Sequence, residues 1–309
     1  MWKLLAPALV ACSLLTACGP ATEAELAGED PSLDDTSEAL SASSRSYVRA
    51  NKDKRRCPSP QCGGYYVKDL NRPTSAEQYV SGLDFRNAPQ LTATEQAEAL
   101  SAGDGELLLW GKLGPANAAT GLRTFLVYDA WRGMPGVTAL SADTFFSVDS
   151  KAALVRCAMA PCKSETAKKL NTTSTQVFSS YDLLSALPAF GDTAWLQSEV
   201  MNRGAFVAAT VRNGAPMTGG YDLVLDASQV FLRVAGSRRT CATTPNPTCG
   251  SGRAYAWDRD MARCRVPLGC VPSRSNCGAA PTCAPGYTRS SWTTAQGCSA
   301  YACDPTFSL

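Results

Sequence analysis

The chain has no histidine among its 309 residues. That absence excludes Ser-His-Asp and Cys-His nucleophilic catalysis, imidazole-ligated zinc and the HExxH metalloproteases, and the usual general base at neutral pH. Nucleophile-elbow, SxxK, dinucleotide-binding and phosphate-loop motifs are absent too. The chain also lacks an apolar run of 18 residues, so no stretch reads as a membrane-spanning helix. Of the familiar hydrolytic chemistries, one using paired carboxylates stays open, since 27 acidic residues are available. No spacing singles out a pair. The expectation is a non-enzyme that needs neither metal nor cofactor.

The N-terminal stretch is informative. Lys3 precedes a largely apolar run from Leu4 to Ala17. A bilayer needs about 20 apolar residues, so this run has the length of a signal-peptide core. It ends in Leu15-Thr16-Ala17-Cys18, which resembles the bacterial lipobox. The resemblance implies cleavage before Cys18 and acylation of its thiol, the nucleophile that accepts lipid. A second match ends at Cys12 but leaves a much shorter apolar core, so Cys18 is preferred. Acyl chains contribute about 0.8 kcal/mol per buried methylene, and two or more anchor stably. The protein is therefore expected to be exported and lipid-anchored at the cell envelope, at an outer membrane or cell surface.

Charge is uneven. Residues 19–40 carry seven acids and no base, whereas residues 41–309 carry eight more bases than acids. The acidic stretch, rich in Ala, Ser and Thr, is expected to be a disordered tether. In the first hairpin described below, Arg49, Lys52, Lys54, Arg55 and Arg56 cluster. They are candidates for contact with an anionic surface, lipid headgroups or polysaccharide. The alternative is a solvated hairpin whose charges oppose strand-edge association. Nothing points to nucleic acid.

Cysteine use agrees with export. Of 14 cysteines, one leaves with the signal and one takes lipid. The even remainder reads as a disulfide framework in an oxidising compartment: Cys57, Cys62, Cys157, Cys162, Cys241, Cys249, Cys264, Cys270, Cys277, Cys283, Cys298 and Cys303. Local bridges are expected at Cys57–Cys62 and Cys157–Cys162.

An internal repeat organises the body. "YVRANKDKRRCPSPQCGGYYVKDLN" (47–71) lies over "SVDSKAALVRCAMAPCKSETAKKLN" (147–171), matching Arg56, Cys57, Cys62, Lys68, Leu70 and Asn71 to residues 100 positions later. "GELLLWGKL" (105–113) answers "GAFVAATVR" (204–212), and the aspartates of "FLVYDA" (Asp129) and "DLVLDA" (Asp226) recur. Duplication favours a structural role for both. Each unit reads as a hairpin, a short strand, a helix and two strands. Thr92 and Glu95 form a capping-box pattern at the first helix, with Leu91, Ala97 and Leu100 as inward candidates. Asp192 caps the second, Trp195, Leu196 and Val200 face the core, and Gly204 stops it. A third start appears at 230–241, closed by Cys249.

The fold class expected is α+β: tandem duplicated β-β-β-α-β-β units, mainly antiparallel, with a small disulfide-rich C-terminal module. The divisions expected are a signal peptide (1–17), a tether (18–45), repeat units (46–140 and 141–229), a truncated third hairpin (230–263) and a cysteine-rich module (264–309). With "YVRANKDKRRCPSPQCGGYYVKDLNRPT", "LLLWGKL" and "FLVYDAWRG", the body resembles an uncharacterised family of exported bacterial lipoproteins. The resemblance implies export and no known activity. It also implies a further cysteine pair near the Tyr-Val strand, where this chain has Glu77, Gln78 and Tyr79.

The tail has six cysteines in 40 residues, too little core to fold without its bridges. Fifteen connectivities are open. "CAPGYTRSSWTTAQGCSAYAC" (283–303) resembles antistasin-type or von Willebrand C-type hairpins, which bind extracellular proteins. Tyr287, Trp292 and Tyr301 there serve either a sugar or protein contact or packing over disulfides. Two functions compete. One is a non-catalytic surface lipoprotein that binds or scaffolds envelope polysaccharide or a secreted protein. The other is a protease inhibitor, or another extracellular protein-binding module, carried by the tail.

Overall fold

A computed structural model describes residues 40, 43–148, 165–217, 220–236, 241–243, 245 and 247–308. Cys18, Cys157 and Cys162 lie outside these residues.

The two repeats build matching halves. The first contains β1 (Ser46–Lys52), β2 (Tyr65–Asp69), β3 (Gln78–Val80), β4 (Leu83–Asp84), α1 (Ala93–Leu100), β5 (Leu107–Ala116) and β6 (Arg123–Gly133). The second contains β7 (Thr144–Val148), β8 (Glu165–Lys169), β9 (Thr175–Phe178), β10 (Ser180–Asp182), α2 (Thr193–Arg203), β11 (Ala205–Met217) and β12 (Gly220–Arg233). The single short strand expected before each helix is two strands. The second of them pairs in parallel with the closing strand of its unit, β4 with β6 and β10 with β12.

All of these strands share one twelve-stranded sheet in the order β3-β2-β1-β5-β6-β12-β11-β7-β8-β9, with β4 beside β6 and β10 beside β12. The order reads outward symmetrically from the β6–β12 junction, as a duplication with a pseudo-two-fold axis would place it. That junction is short and antiparallel: Trp131, Arg132 and Gly133 face Arg233, Leu232 and Phe231.

The run "LLLW" is apolar at successive positions because both sheet faces are covered. Leu107 and Leu109 pack with Val48, Val67, Val127 and Ala99 of α1. Leu108, between them, faces the other way, into a cluster with Leu70, Trp131, Phe145, Leu170, Phe206 and Phe231. In the second unit Ala205, Val207 and Ala209 pack with Trp195, Leu196 and Val200 of α2, while Phe206 and Ala208 join that shared cluster. Each half therefore has an outer core under its own helix and an inner core against its twin. Trp131 stacks on Phe206 with centroids 4.2 Å apart, and Tyr47 meets Phe206 edge-on at 5.1 Å. Aromatic pairs of this kind contribute about 0.5–1.5 kcal/mol beyond area burial. Gly111 allows the inner strands to close: a Cβ there would lie 2.2 Å from the Leu126 carbonyl oxygen.

Local signals at the helix ends act as their chemistry dictates. Thr92 accepts from the Glu95 N–H, and Glu95 Oε2 accepts from the Thr92 N–H at 2.7 Å, a closed capping box. Asp192 accepts from the Trp195 N–H at 2.9 Å, and Gly204 leaves α2 with φ 71°. The inward face of α1 differs from expectation. Ala99 is buried, whereas Ala97 and Leu100 are exposed. With Leu91 buried before the cap, an eight-residue helix needs only one small contact, and its remaining apolar side chains stay outside.

The C-terminal region, β13 (Arg253–Arg259), β14 (Arg265–Pro272), β15 (Tyr287–Thr293) and β16 (Ser299–Pro305), forms two separate hairpins. Residues 230–233, expected to open a third repeat, instead complete β12. The cysteine pattern is rearranged accordingly. Cys241 bonds Cys264 and Cys249 bonds Cys270, so Cys249 does not close a loop with Cys241. Cys277 bonds Cys298 and Cys283 bonds Cys303. The stapled region thus begins at Cys241, not Cys264. It also borrows core: Tyr287, Cys303 and Phe307 pack into the outer core of the second unit.

Candidate functional site

The seam between the repeats is held by two asparagines that exchange hydrogen bonds. Asn71, just after β2, donates Nδ2 to the carbonyls of Phe145 (2.7 Å) and Leu170 (2.9 Å) and accepts from the Phe145 N–H (2.8 Å). Asn171, just after β8, donates to the carbonyls of Tyr47 (2.7 Å) and Leu70 (3.0 Å) and accepts from the Tyr47 N–H (2.7 Å). Each side chain satisfies the opening strand of the opposite unit. Both residues have positive φ, 56° and 60°, a region asparagine tolerates better than most residues. The repeat alignment matched these positions, but a bond crossing between copies is invisible in a one-dimensional comparison.

Beside Asn71 the seam opens into a cavity of about 480 Å³. Arg49, Lys68, Asp69 and Arg72 reach it from the first unit, and Asp143, Thr144, Phe145 and Lys169 from the second side. Arg49 and Lys68 are directly opposed across β1 and β2. Their side chains therefore share a face, with Cβ atoms about 4.5–5.5 Å apart. Among the described residues, Arg49, Lys68 and Lys169 have no ion-pair partner. The acids lining the cavity form no ion pair with these bases. Asp69 lies 4.0 Å from Arg72. Burial pushes its carboxyl above the ordinary value, with Ser46 and Arg72 pulling the other way. Asp143 accepts from the Leu140 N–H at 2.6 Å and from the Ser228 hydroxyl.

The structure disperses the other basic residues of the first hairpin. Cys57 and Cys62 are joined. Arg55 forms a two-pronged pair with Asp53 (3.1 and 3.0 Å) and lies over the rings of Tyr66 and Tyr79. Its hydrogen bonds hold the Asp53 carboxyl below the usual range. Lys54 pairs with Asp104 at 2.5 Å. Lys52 and Arg56 are exposed. Of the five clustered bases, Arg49 alone lines the seam cavity.

A second cavity, of about 250 Å³, lies where α1, α2 and the C-terminal hairpins meet, lined by Glu98, Trp195, Glu199, Arg203, Arg263 and Asp304 among others. Its charges hold the module in place. Asp304, 2% exposed, receives Arg259 at 2.5 Å and lies 3.6 Å from Arg263. Arg259 also lies 3.5 Å from Asp192, the cap of α2, and Arg263 lies over Trp195. Burial lowers the Arg263 pKa, and Asp304 opposes the shift. None of these contacts had a sequence signal, since the partners lie up to 68 residues apart.

The aspartates that recur in the repeats are both paired. Asp129 binds Arg233 at 2.6 Å, and Asp226 binds Arg212 at 3.0 Å, with Asp182 on the same guanidinium. Tyr287 is buried, and burial raises its hydroxyl pKa well above the ordinary value. Trp292 packs under Arg259 and Tyr301 near Arg289.

The fold and site define a duplicated, sheet-rich α+β domain with a basic inter-repeat cavity and a disulfide-rich extension. The chain belongs to a family described as a domain of unknown function, DUF6748, whose model matches residues 46–237. No curated protein and no solved structure matches it.

Proposed function

We propose that the protein is a non-catalytic lipoprotein, anchored through Cys18, that binds or scaffolds a component of the cell envelope. The observation that carries the binding reading is the seam cavity, which both repeats line and whose bases Arg49, Lys68 and Lys169 have no ion-pair partner among the described residues. Support for export comes from the signal-like N-terminus and from five disulfides among the described residues. The acidic stretch, expected to be a tether, would hold the basic body off an anionic membrane; it ends before Leu40, which packs in the core of the first unit and not in a tether reaching to residue 45. The test has two arms. Labelled palmitate should be incorporated by the full chain and lost in Cys18→Ala. The purified chain should retain envelope polysaccharide in a salt-sensitive manner. Unchanged labelling would remove the anchor, and failure to retain any envelope fraction would remove the binding role.

The protein-binding reading of the tail is supported by Met261, Val266 and Leu268, which stand 66%, 42% and 48% exposed on and beside the β13–β14 hairpin. A panel of secreted proteases checks it. Inhibition by the intact chain, lost in Val266→Asp/Leu268→Asp, supports it; no inhibition removes it.

A further inference from the structure

We infer that the seam cavity is a binding site for a phosphate-type dianion carried on a larger molecule. The inference rests on the envelope-binding reading and names the ligand chemistry of that site. Its first ground is the placement of Arg49 and Lys68. They are directly opposed in an antiparallel pair, an arrangement that destabilises a sheet when the charges are alike. Both are half-buried, so water screens them incompletely. No carboxylate among the described residues forms an ion pair with either one. A cross-strand repulsion kept at the mouth of a cavity is accounted for by an anion that binds between the two charges.

The second ground is the charge balance. The cavity is lined by Arg49, Lys68, Arg72 and Lys169 against Asp69 and Asp143, leaving two positive charges. A monocarboxylate would leave the site positive, whereas a phosphate monoester, with close to two negative charges at neutral pH, balances it. Arg49 supplies a guanidinium fork for two oxygens, and the two lysines supply point charges. The hydroxyl residues Ser141 and Thr144 also line the cavity and add neutral donors.

The third ground is size. A volume of about 480 Å³ falls within the range of small-ligand pockets, about 300–1,000 Å³. It exceeds what a lone phosphate fills, so the phosphoryl group should belong to a sugar or a glycerol headgroup. Because the walls come from both repeats, the ligand bridges the seam, and binding should stiffen the contact between the halves.

The test is a thermal-shift and calorimetric titration of the full chain at fixed ionic strength with inorganic phosphate, glucose 6-phosphate, glycerol 3-phosphate and unphosphorylated glucose. Vesicles containing phosphatidic acid form a separate arm. A ligand that binds only the folded state raises the midpoint by mass action. We expect glucose 6-phosphate or glycerol 3-phosphate to bind more tightly than inorganic phosphate, and glucose not to bind. Preference for glucose 6-phosphate assigns a sugar phosphate; preference for glycerol 3-phosphate together with the vesicles assigns a headgroup. Arg49→Gln/Lys68→Gln should weaken binding by roughly tenfold or more, as expected for charge-assisted contacts. Its midpoint without ligand should not fall, because it relieves a repulsion. Lys169→Gln, on the other unit, should weaken binding independently. No shift with any phosphate probe, or shifts that survive all three substitutions, would overturn the inference. If the phosphate probes fail while envelope polysaccharide is still retained, this inference falls and the binding-protein reading stands.

Discussion

Replacing Asn71 with alanine tests the seam most directly. The side chain makes three hydrogen bonds, to the Phe145 carbonyl, the Phe145 N–H and the Leu170 carbonyl. Each contributes about 1 kcal/mol net, giving about 3 kcal/mol in all. Alanine must also adopt φ near 56°, which costs about 1–2 kcal/mol more. The expected loss is therefore about 4–5 kcal/mol. At about 2–4 °C per kcal/mol for a chain of this size, the midpoint should fall by on the order of 10 °C. Scanning calorimetry of the oxidised full chain measures the loss. Near-ultraviolet circular dichroism follows it locally, since Trp131 and its ring partners lie in the seam core. Asn71→Gly separates the two contributions: it relieves the backbone strain but restores none of the hydrogen bonds, so most of the loss should remain. Asn171→Ala should match Asn71→Ala, and the double variant should cost less than the sum, because the two side chains hold one interface. A loss below about 1 kcal/mol for Asn71→Ala would refute the reasoning, because water would then serve the exposed backbone groups equally well.

Three further outcomes are expected. Asp304→Ala should destabilise by about 3–5 kcal/mol, since it leaves Arg259 and Arg263 buried without their shared carboxylate; urea unfolding measures it, and a cost under about 1 kcal/mol would show the cluster to be dispensable. The raised Asp69 pKa means that folding favours the protonated acid. Stability from this group is greatest at low pH and is lost as pH rises from the ordinary carboxylate value through the folded-state pKa. Asp69→Asn should therefore raise the midpoint at neutral pH, with the advantage vanishing below about pH 4, and should not weaken phosphate binding; a lower midpoint at neutral pH would show that its pairing with Arg72 outweighs burial. Non-reducing tryptic mapping should recover the peptide holding Cys241 and Cys249 cross-linked to those holding Cys264 and Cys270; recovery of that peptide alone, closed on itself, would refute the connectivity.

Much of the architecture was legible in the sequence because it depends on local chemistry repeated at a fixed offset. Lys68-x-Leu70-Asn71 and its echo at Lys168-x-Leu170-Asn171 marked the duplication. Thr92 with Glu95, and Asp192 with Gly204, marked the helices, because caps act within one turn. The division of each short strand in two was not legible. β4 and β10 are two and three residues long, and their pairing depends on β6 and β12, some forty residues on. The basic cluster of the first hairpin was legible as composition but not as a site. β1 alternation turns Arg49 into the seam, whereas Lys54 and Arg55 find acids of their own.

By itself, the sequence determined the repeat, the sheet-rich α+β class, the capped helices and an even set of cysteines, since each rests on residues near one another or on residue type. Only the tertiary structure decided that Asn71 and Asn171 trade partners across the seam, and that Cys241 and Cys249 reach forward to Cys264 and Cys270. It also decided that Asp304 gathers two arginines against α2, and that Arg49, Lys68 and Lys169 line one cavity. The physical reason is shared by all four: hydrogen bonds, disulfides and charge compensation are satisfied by proximity in space, and only the tertiary fold brings together residues that lie far apart along the chain.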